Sequence, residues 1–303
     1  MRALLVVSFT ETGGQVVAPR CAQSGCTGRL PPAVFYPKFD RGPRSRPEHE
    51  SIKSGGVMES NQVALVTGAG SGIGAAIAAQ LLSRGWRVIA AGRNPDKVEP
   101  LAALDRDNVL PLRMDIREDD SVIGGLESIP RSWADISVVV NCAGHAPGGR
   151  KRFDLSPLSD RLATVDTNLA GVMRVCHVMV PKLIARGGGD IINIGSVAGQ
   201  QAARDDAAYT ASKFGLRGFT EGLRLDLVGT NVRVTEVRPG LTLTRFAETR
   251  LGDADAAKEF YERMDGIMHP KDVADCVMFA LSAPRNVTLN EIVVHPTNIA
   301  PNR

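Results

Sequence analysis

The segment "AAYTASKFGLRGF", residues 207–219, places Tyr209 and Lys213 four positions apart in a helix-compatible run. Four residues make about one α-helical turn, so the phenol and the ammonium share a face and can lie within several Å of each other. A tyrosine ordinarily titrates near pH ~10. A fixed cation beside it favours the phenolate and draws that value toward neutrality, where proton exchange serves catalysis. The pair alone decides nothing, because a lysine beside a half-buried tyrosine is common on helices.

A second signal is "TGAGSGIG", Thr67 to Gly74, which follows an apolar run and opens an alanine-rich one. Gly68, Gly72 and Gly74 at a strand-to-helix turn let backbone amides and a helix N-terminus approach a pyrophosphate.

The elements that must hold these groups are legible in the hydrophobic pattern. Runs at 62–68, 86–92, 109–115, 136–144, 189–196 and 231–240 are dense in Val and Ile and nearly continuous in hydrophobicity, and 291–297 supplies a seventh. Strands of this kind are buried on both faces, as in a parallel sheet covered by helices. Helices are expected over 72–85, 158–187 and 207–229. Together these predict an α/β doubly wound parallel sheet (a Rossmann fold) of about seven strands, with its ligand beyond the carboxyl ends of the strands.

The ordered set "TGAGSGIG", "NCAG" (141–144), Asn168, Ser196 and Tyr209-x-x-x-Lys213 resembles the short-chain dehydrogenase/reductase family, in its single-domain branch, over roughly residues 61–297. One departure is Cys142, where the family often has a second Asn. The resemblance implies hydride transfer between a nicotinamide and a carbonyl. It makes Tyr209 the general acid of reduction and the base of oxidation. Lys213 would lower the tyrosine's pKa and hold the nicotinamide ribose, Ser196 would hydrogen-bond the substrate oxygen, and Asn168 would position a water linking Lys213 to solvent protons. Cofactor contacts are implied at Gly68, Ser71, Gly72, Ile73, Gly74, Arg93, Asn94, Asp115, Ile116, Asn141, Ala143, Gly144, Tyr209, Lys213, Pro239, Gly240 and Thr242.

Charge selects the cofactor. An NAD-preferring site carries an acid after the second strand to accept from the ribose 2′-hydroxyl, whereas here Gly92 stands there and Arg93 follows, which favours NADP over NAD. The segment 241–270 is expected to be a mobile lid over the substrate. The C-terminal "NEIVVHPTN", with Arg245 and Arg250, resembles the branch of NADP-dependent serine and 3-hydroxy acid dehydrogenases; either arginine could pair with a substrate carboxylate. His145, Ser196 and Tyr209 complete the candidate substrate contacts. Alternatives stay open: a reductase of apolar ketones or of 3-oxoacyl thioesters, or a non-catalytic NADP-sensing protein on the same fold.

Composition narrows the partners. Residues 1–57 carry eight Lys/Arg against four Asp/Glu, so the formal net charge of +3 leaves the remaining chain at −1, with no basic stripe for nucleic acid or membrane. Five cysteines without metal spacing argue against a disulfide framework or a zinc site and for a cytoplasmic setting. No uninterrupted apolar run reaches the ~18 residues of a membrane span. Six prolines and seven glycines without periodicity predict a disordered N-terminal extension over 1–57, or a misassigned start ahead of Met58. A single catalytic domain is expected over 58–303, assembling as a homodimer or homotetramer around a small-molecule alcohol or carbonyl substrate.

Overall fold

The structure, a computed structural model, describes residues 62–299; the expected extension over 1–57 and the start at Met58 lie outside the described residues. In chain order the elements are β1 (Val63–Thr67), α1 (Gly72–Leu82), β2 (Arg87–Gly92), a short α2 (Glu99–Ala102), β3 (Val109–Arg113), α3 (Asp119–Glu127) and β4 (Ile136–Asn141). There follow α4 (Leu158–Val165), α5 (Gly171–Ala185), β5 (Gly189–Ile194), α6 (Ala207–Asp226), β6 (Val232–Pro239), α7 (Phe246–Leu251), α8 (Ala254–Glu262), α9 (Pro270–Ser282) and β7 (Glu291–Val294).

The seven strands form one parallel sheet in the order β3-β2-β1-β4-β5-β6-β7, as expected. Every residue of β1, β4, β5 and β6 is buried; β1 and β4 are near-continuous apolar runs on that account, whereas β6 also buries Arg233, Thr235, Glu236 and Arg238. Alternate side chains feed two cores. Val66, Val88, Val140 and Ile192 pack with α1 and α9 on one face. Leu65, Ile89, Val139 and Ile191 pack with α5 and α6 on the other. Each such aliphatic side chain stabilises the fold by about 1.5–3 kcal/mol relative to exposure. The chain winds outward from β1 to β3, then returns to β4 on the other side of β1, and that reversal opens a crevice at the strand C-termini.

Two differences from the sequence reading have physical causes. The helix expected over 158–187 is interrupted by a π-helical turn at Asp166–Ala170 that joins α4 to α5. The combined helix Leu158–Ala185, 28 residues with an 18-residue stretch of mean hydropathy 1.2, is by length and composition long enough to cross a membrane, although no uninterrupted apolar run foretold it. Its apolar stripe Val172, Val175, Met179 and Leu183 is spent on the sheet, each at most 2% exposed. The stripe is therefore core and not an oligomer face. The segment expected as a lid carries α7 and α8, to which the hydrophobic pattern assigned no helix, because "RFAETRL" and "ADAAKEFYE" carry enough helix formers and α8 is capped by Asp253.

Candidate active site

A cavity of about 1130 Å³ opens over the C-terminal ends of β1, β2, β4, β5 and β6, larger than the ~300–1,000 Å³ that holds a single drug-sized ligand. At one end, Ser71 precedes α1 with its side chain uncommitted to the helix, leaving the N-terminal amides facing the cavity. Gly68 turns the chain there at φ +72°, and a β-carbon on it would lie 2.8 Å from the Cα of Ala143. Only glycine lets the turn close against the loop after β4. Thr67 braces that contact, its Oγ1 accepting from the amides of Cys142 (3.1 Å) and Ala143 (3.2 Å). This cradle fits a dinucleotide diphosphate.

Beyond β2, the exposed Arg93 has no hydrogen bond or ion pair among the described residues, so its guanidinium is available to a phosphate. Asp115 is engaged by Arg117, whose Nη2 lies 2.6 Å from Oδ2 and whose Nε lies 3.0 Å from Oδ1. That hydrogen-bonded guanidinium holds the Asp115 carboxyl below the usual range. Arg117, unremarked in the sequence, adds a second cation to this end of the cavity.

At the other end, α6 presents Tyr209 and Lys213, and the end of β5 presents Ser196. The Ser196 hydroxyl faces the same stretch of cavity wall as the Tyr209 phenol, and Ser196 Oγ accepts from the amide of Ala198 at 3.1 Å. Lys213 Nζ donates to the carbonyl of Ile194 at 2.9 Å and lies 5.8 Å from the centre of the Tyr209 ring. Phe246 of α7 packs on the same ring, centroids 5.4 Å apart.

The expectation that Lys213 draws the tyrosine toward neutrality is corrected here. Burial pushes the Tyr209 phenol up, opposed by the Ser196 hydrogen bond and by Arg250, while Asp206 adds to the rise. Burial also lowers Lys213 to about 8. Desolvation outweighs the neighbouring cation, because both groups line a cleft enclosed by protein.

Asn168 is buried within the π-helical turn. Its Oδ1 accepts from the amide of His145 (2.9 Å), and its Nδ2 donates to the carbonyl of His145 (3.0 Å) and to Ser212 Oγ (3.1 Å). One side chain thus fixes the loop after β4 to α6, and the local widening of a π turn is what brings it inward. His145 lines the cavity with its ring 2.9 Å from Thr167 Oγ1, and burial lowers its pKa.

The structure brings Gly68, Ser71, Gly72, Ile73, Gly74, Arg93, Asn94, Asp115, Ile116, Ala143, Gly144, Pro239, Gly240 and Thr242 to the cavity wall together with Asn168, Ser196, Tyr209, Lys213, His145, Arg245 and Arg250. Asn141 is not brought there. Its Nδ2 donates to Asn193 Oδ1 at 2.9 Å and to Cys176 Sγ, so it ties β4 to β5.

The two candidate substrate arginines differ. Arg245 is exposed and pairs with Glu248 at 2.9 Å. Arg250 is mostly buried and ion-paired to Asp206, and its guanidinium carbon lies 5.3 Å from the Tyr209 ring centre, with Nε unpartnered. Asp206 and Phe246 were missed in the sequence. Asp206 stands three residues before Tyr209 and so shares its helix face, a spacing that was there to be read.

The comparisons agree with this geometry. A model of the short chain dehydrogenase family matches residues 62–254. The NADP-dependent 3-hydroxy acid dehydrogenase of Schizosaccharomyces pombe is 34% identical over 240 residues, covering 77% of this chain and 92% of that protein. Sulfoacetaldehyde reductase 2 of Chromohalobacter salexigens is 35% identical over 243 residues, covering 79% and 96%. The closed form of serine dehydrogenase complexed with NADP+ matches with a TM-score of 0.74 at 33% identity, covering 77% of this chain and 94% of that one. With its glycine cradle at one end of the cavity and Tyr209, Ser196 and Lys213 at the other, the chain belongs to the short chain dehydrogenase family.

Proposed function

We propose that this protein is an NADP-dependent oxidoreductase that interconverts a small alcohol bearing an anionic group, such as a 3-hydroxy acid, and the corresponding carbonyl. The observation that carries the reading is the convergence of Tyr209 and Ser196 on one stretch of the cavity wall, with Lys213 one helical turn from Tyr209 on α6. NADP, when bound, supplies or accepts the hydride; Gly68, Ser71 and the first turn of α1 would hold its diphosphate, Arg93 its 2′-phosphate and Lys213 its nicotinamide ribose. Asn141 is left out of this set.

The chain's own groups handle the proton. Tyr209 holds a proton on its phenol oxygen, and burial keeps it there, so the ligand-free site is set as a donor to a developing alkoxide. Ser196, its backbone fixed at the end of β5, orients the carbonyl oxygen between the two hydroxyls. Asn168 keeps the loop after β4 in place and has one acceptor lone pair left for a water. Arg250, aligned over the Tyr209 ring with Nε unpartnered, takes the substrate anion. The names of the relatives from Schizosaccharomyces pombe and Chromohalobacter salexigens support small anionic substrates over apolar ketones and acyl thioesters.

The test is NADPH oxidation followed against 3-oxo acids, uncharged ketones and acyl thioesters. Preference for the thioesters or the apolar ketones would overturn the substrate class. Within the same assay, Arg93→Ala should lower kcat/KM with NADPH by about tenfold or more, from the ~1.5–3 kcal/mol of a hydrogen bond to a charged group, with little change for NADH. An unchanged NADPH-to-NADH ratio would contradict that assignment.

Assembly as a homo-oligomer is supported by the apolar residues Leu158 and Leu162 of α4 and Phe214 of α6, which are 62%, 59% and 42% exposed. Light scattering on the eluting protein should give a mass at least twice 32.3 kDa, and a monomer mass would contradict it.

A further inference from the structure

Behind the cavity, on the α6 side of the sheet edge, lies a cluster of charges that the reaction scheme above does not use. Glu236 and Arg238 of β6 point to the same face as Val232 and Val234, toward α6, and are 1% and 2% exposed. Arg238 Nε is 3.9 Å from Glu236 Oε2, too far for a hydrogen bond, and its Nη2 is ion-paired to Glu291 of β7. Glu291 in turn stands 3.6 Å from Arg217 of α6, and both are more than a third exposed. Glu236 Oε1 and the Nε and Nη1 of Arg238 have no hydrogen-bond partner. Glu236 is therefore not neutralised by a close contact pair, and burial of an unmatched carboxylate is costly unless another cation faces it.

That cation is Lys213. Glu236 Oε1 lies against Gly195, where any β-carbon would collide with it. Gly195 sits between Ile194, whose carbonyl receives Lys213, and Ser196, which lines the cavity with Tyr209. Lys213 is 6% exposed, and its one hydrogen bond among the described residues is to that neutral carbonyl. We propose that Glu236 is a positioning residue for the cleft, a carboxylate behind the sheet that serves as the counter-charge of Lys213 and is itself kept ionised by Arg238.

The surroundings of both groups are consistent with that role. Lys213 is faced by the Tyr209 ring on its own helix, by Cys142 after β4, by Ile194 at the end of β5 and by Glu236 on β6. Glu236 is faced by Arg238 on its own strand, Glu291 on β7, and Lys213 and Arg217 on α6. Burial raises Glu236, with Arg238 the first group opposing the rise. Burial lowers Lys213 to about 8, and Cys142 and then Glu236 oppose that fall. Neutralising Glu236 therefore lets Lys213 lose its proton at lower pH.

The consequence for turnover rests on the role proposed for Lys213, but the test need not. The ε-methylene resonance of Lys213 in the full chain labelled with ¹³C-lysine, assigned by its loss in Lys213→Arg, is titrated directly in three proteins. These are the wild type, Glu236→Gln, and Glu236→Gln/Arg238→Met, the last removing both buried charges while Glu291 keeps Arg217, so that no buried arginine is stranded. The expected result is a midpoint about one unit lower in the variants, a tenfold change in proton affinity, with the alkaline limb of kcat for carbonyl reduction moving down alongside. A midpoint unmoved in either folded variant overturns the proposal. A Tyr209→Phe enzyme that kept its turnover would instead sink the proton-donor role and leave this titration standing.

Discussion

Replacing Tyr209 by Phe is expected to lower kcat about 10²- to 10⁴-fold, the range that positioned proton transfer contributes, while NADPH affinity stays nearly unchanged. The substitution removes one oxygen and keeps the ring. The packing on Phe246 at 5.4 Å and the Arg250 guanidinium at 5.3 Å from the ring centre both survive it. What is lost is the phenol hydroxyl beside Ser196, with the proton that burial holds on it. Binding and chemistry separate cleanly here, because the glycine cradle and Arg93 lie at the far end of the cavity. Fluorescence titration with NADPH together with steady-state turnover checks both halves, and wild-type turnover in a variant that binds NADPH would remove Tyr209 from the mechanism.

Arg250→Met should cost about 10- to 100-fold in kcat/KM for carboxylate-bearing substrates and little for uncharged ketones, from the ~1.5–3 kcal/mol of a charge-assisted hydrogen bond. The loss should appear in KM more than in kcat, because the anion is present in ground and transition states alike. Asp206, only 6% exposed, loses its partner in that variant, so Arg250→Lys is the companion that keeps a positive charge near Asp206 while removing the planar fork. Equal losses on charged and uncharged substrates would show that Arg250 serves only to hold α7 against Asp206. Arg245, exposed and paired with Glu248, is the internal control and should change neither.

The sheet was readable because its central strands, buried on both faces, leave nearly unbroken aliphatic runs; the edge strands β3 and β7 are only partly buried and β6 carries charged residues, yet all seven lie within the runs the pattern marked. The helices over the cavity were less readable. Both α7 and α8 are short and rich in charge, and the apolar face of α8 rests on few residues, so a helical pattern over the lid segment is faint. The π turn at Asp166–Ala170 leaves the sequence pattern of a helix intact, so nothing marked where Asn168 would be turned inward. Asn141 failed for a different reason. It ends a strand beside the cleft, but the two-residue alternation of a strand directs its amide sideways to Asn193.

Tyr209 and Lys213 were found from spacing alone, while their ionisation was not. Sequence spacing shows which charges are neighbours along a helix. It does not show the burial that raises the phenol and lowers the amine. For the same reason Glu236 and Arg238, four and two residues before Gly240 in a run read simply as a strand, gave no sign of facing α6.

The central claim is that hydride passes between NADP and a carbonyl held at Tyr209 and Ser196. The most direct measurement is to incubate the enzyme with NADPH deuterated at C4 of the nicotinamide and with the 3-oxo acids, ketones and thioesters, then locate the label by mass spectrometry. One deuterium on the carbinol carbon of an acid-bearing product is the predicted result. NADPH that binds in the cleft and returns unoxidised from every one of them would contradict it, leaving a protein that senses the nucleotide without reacting it.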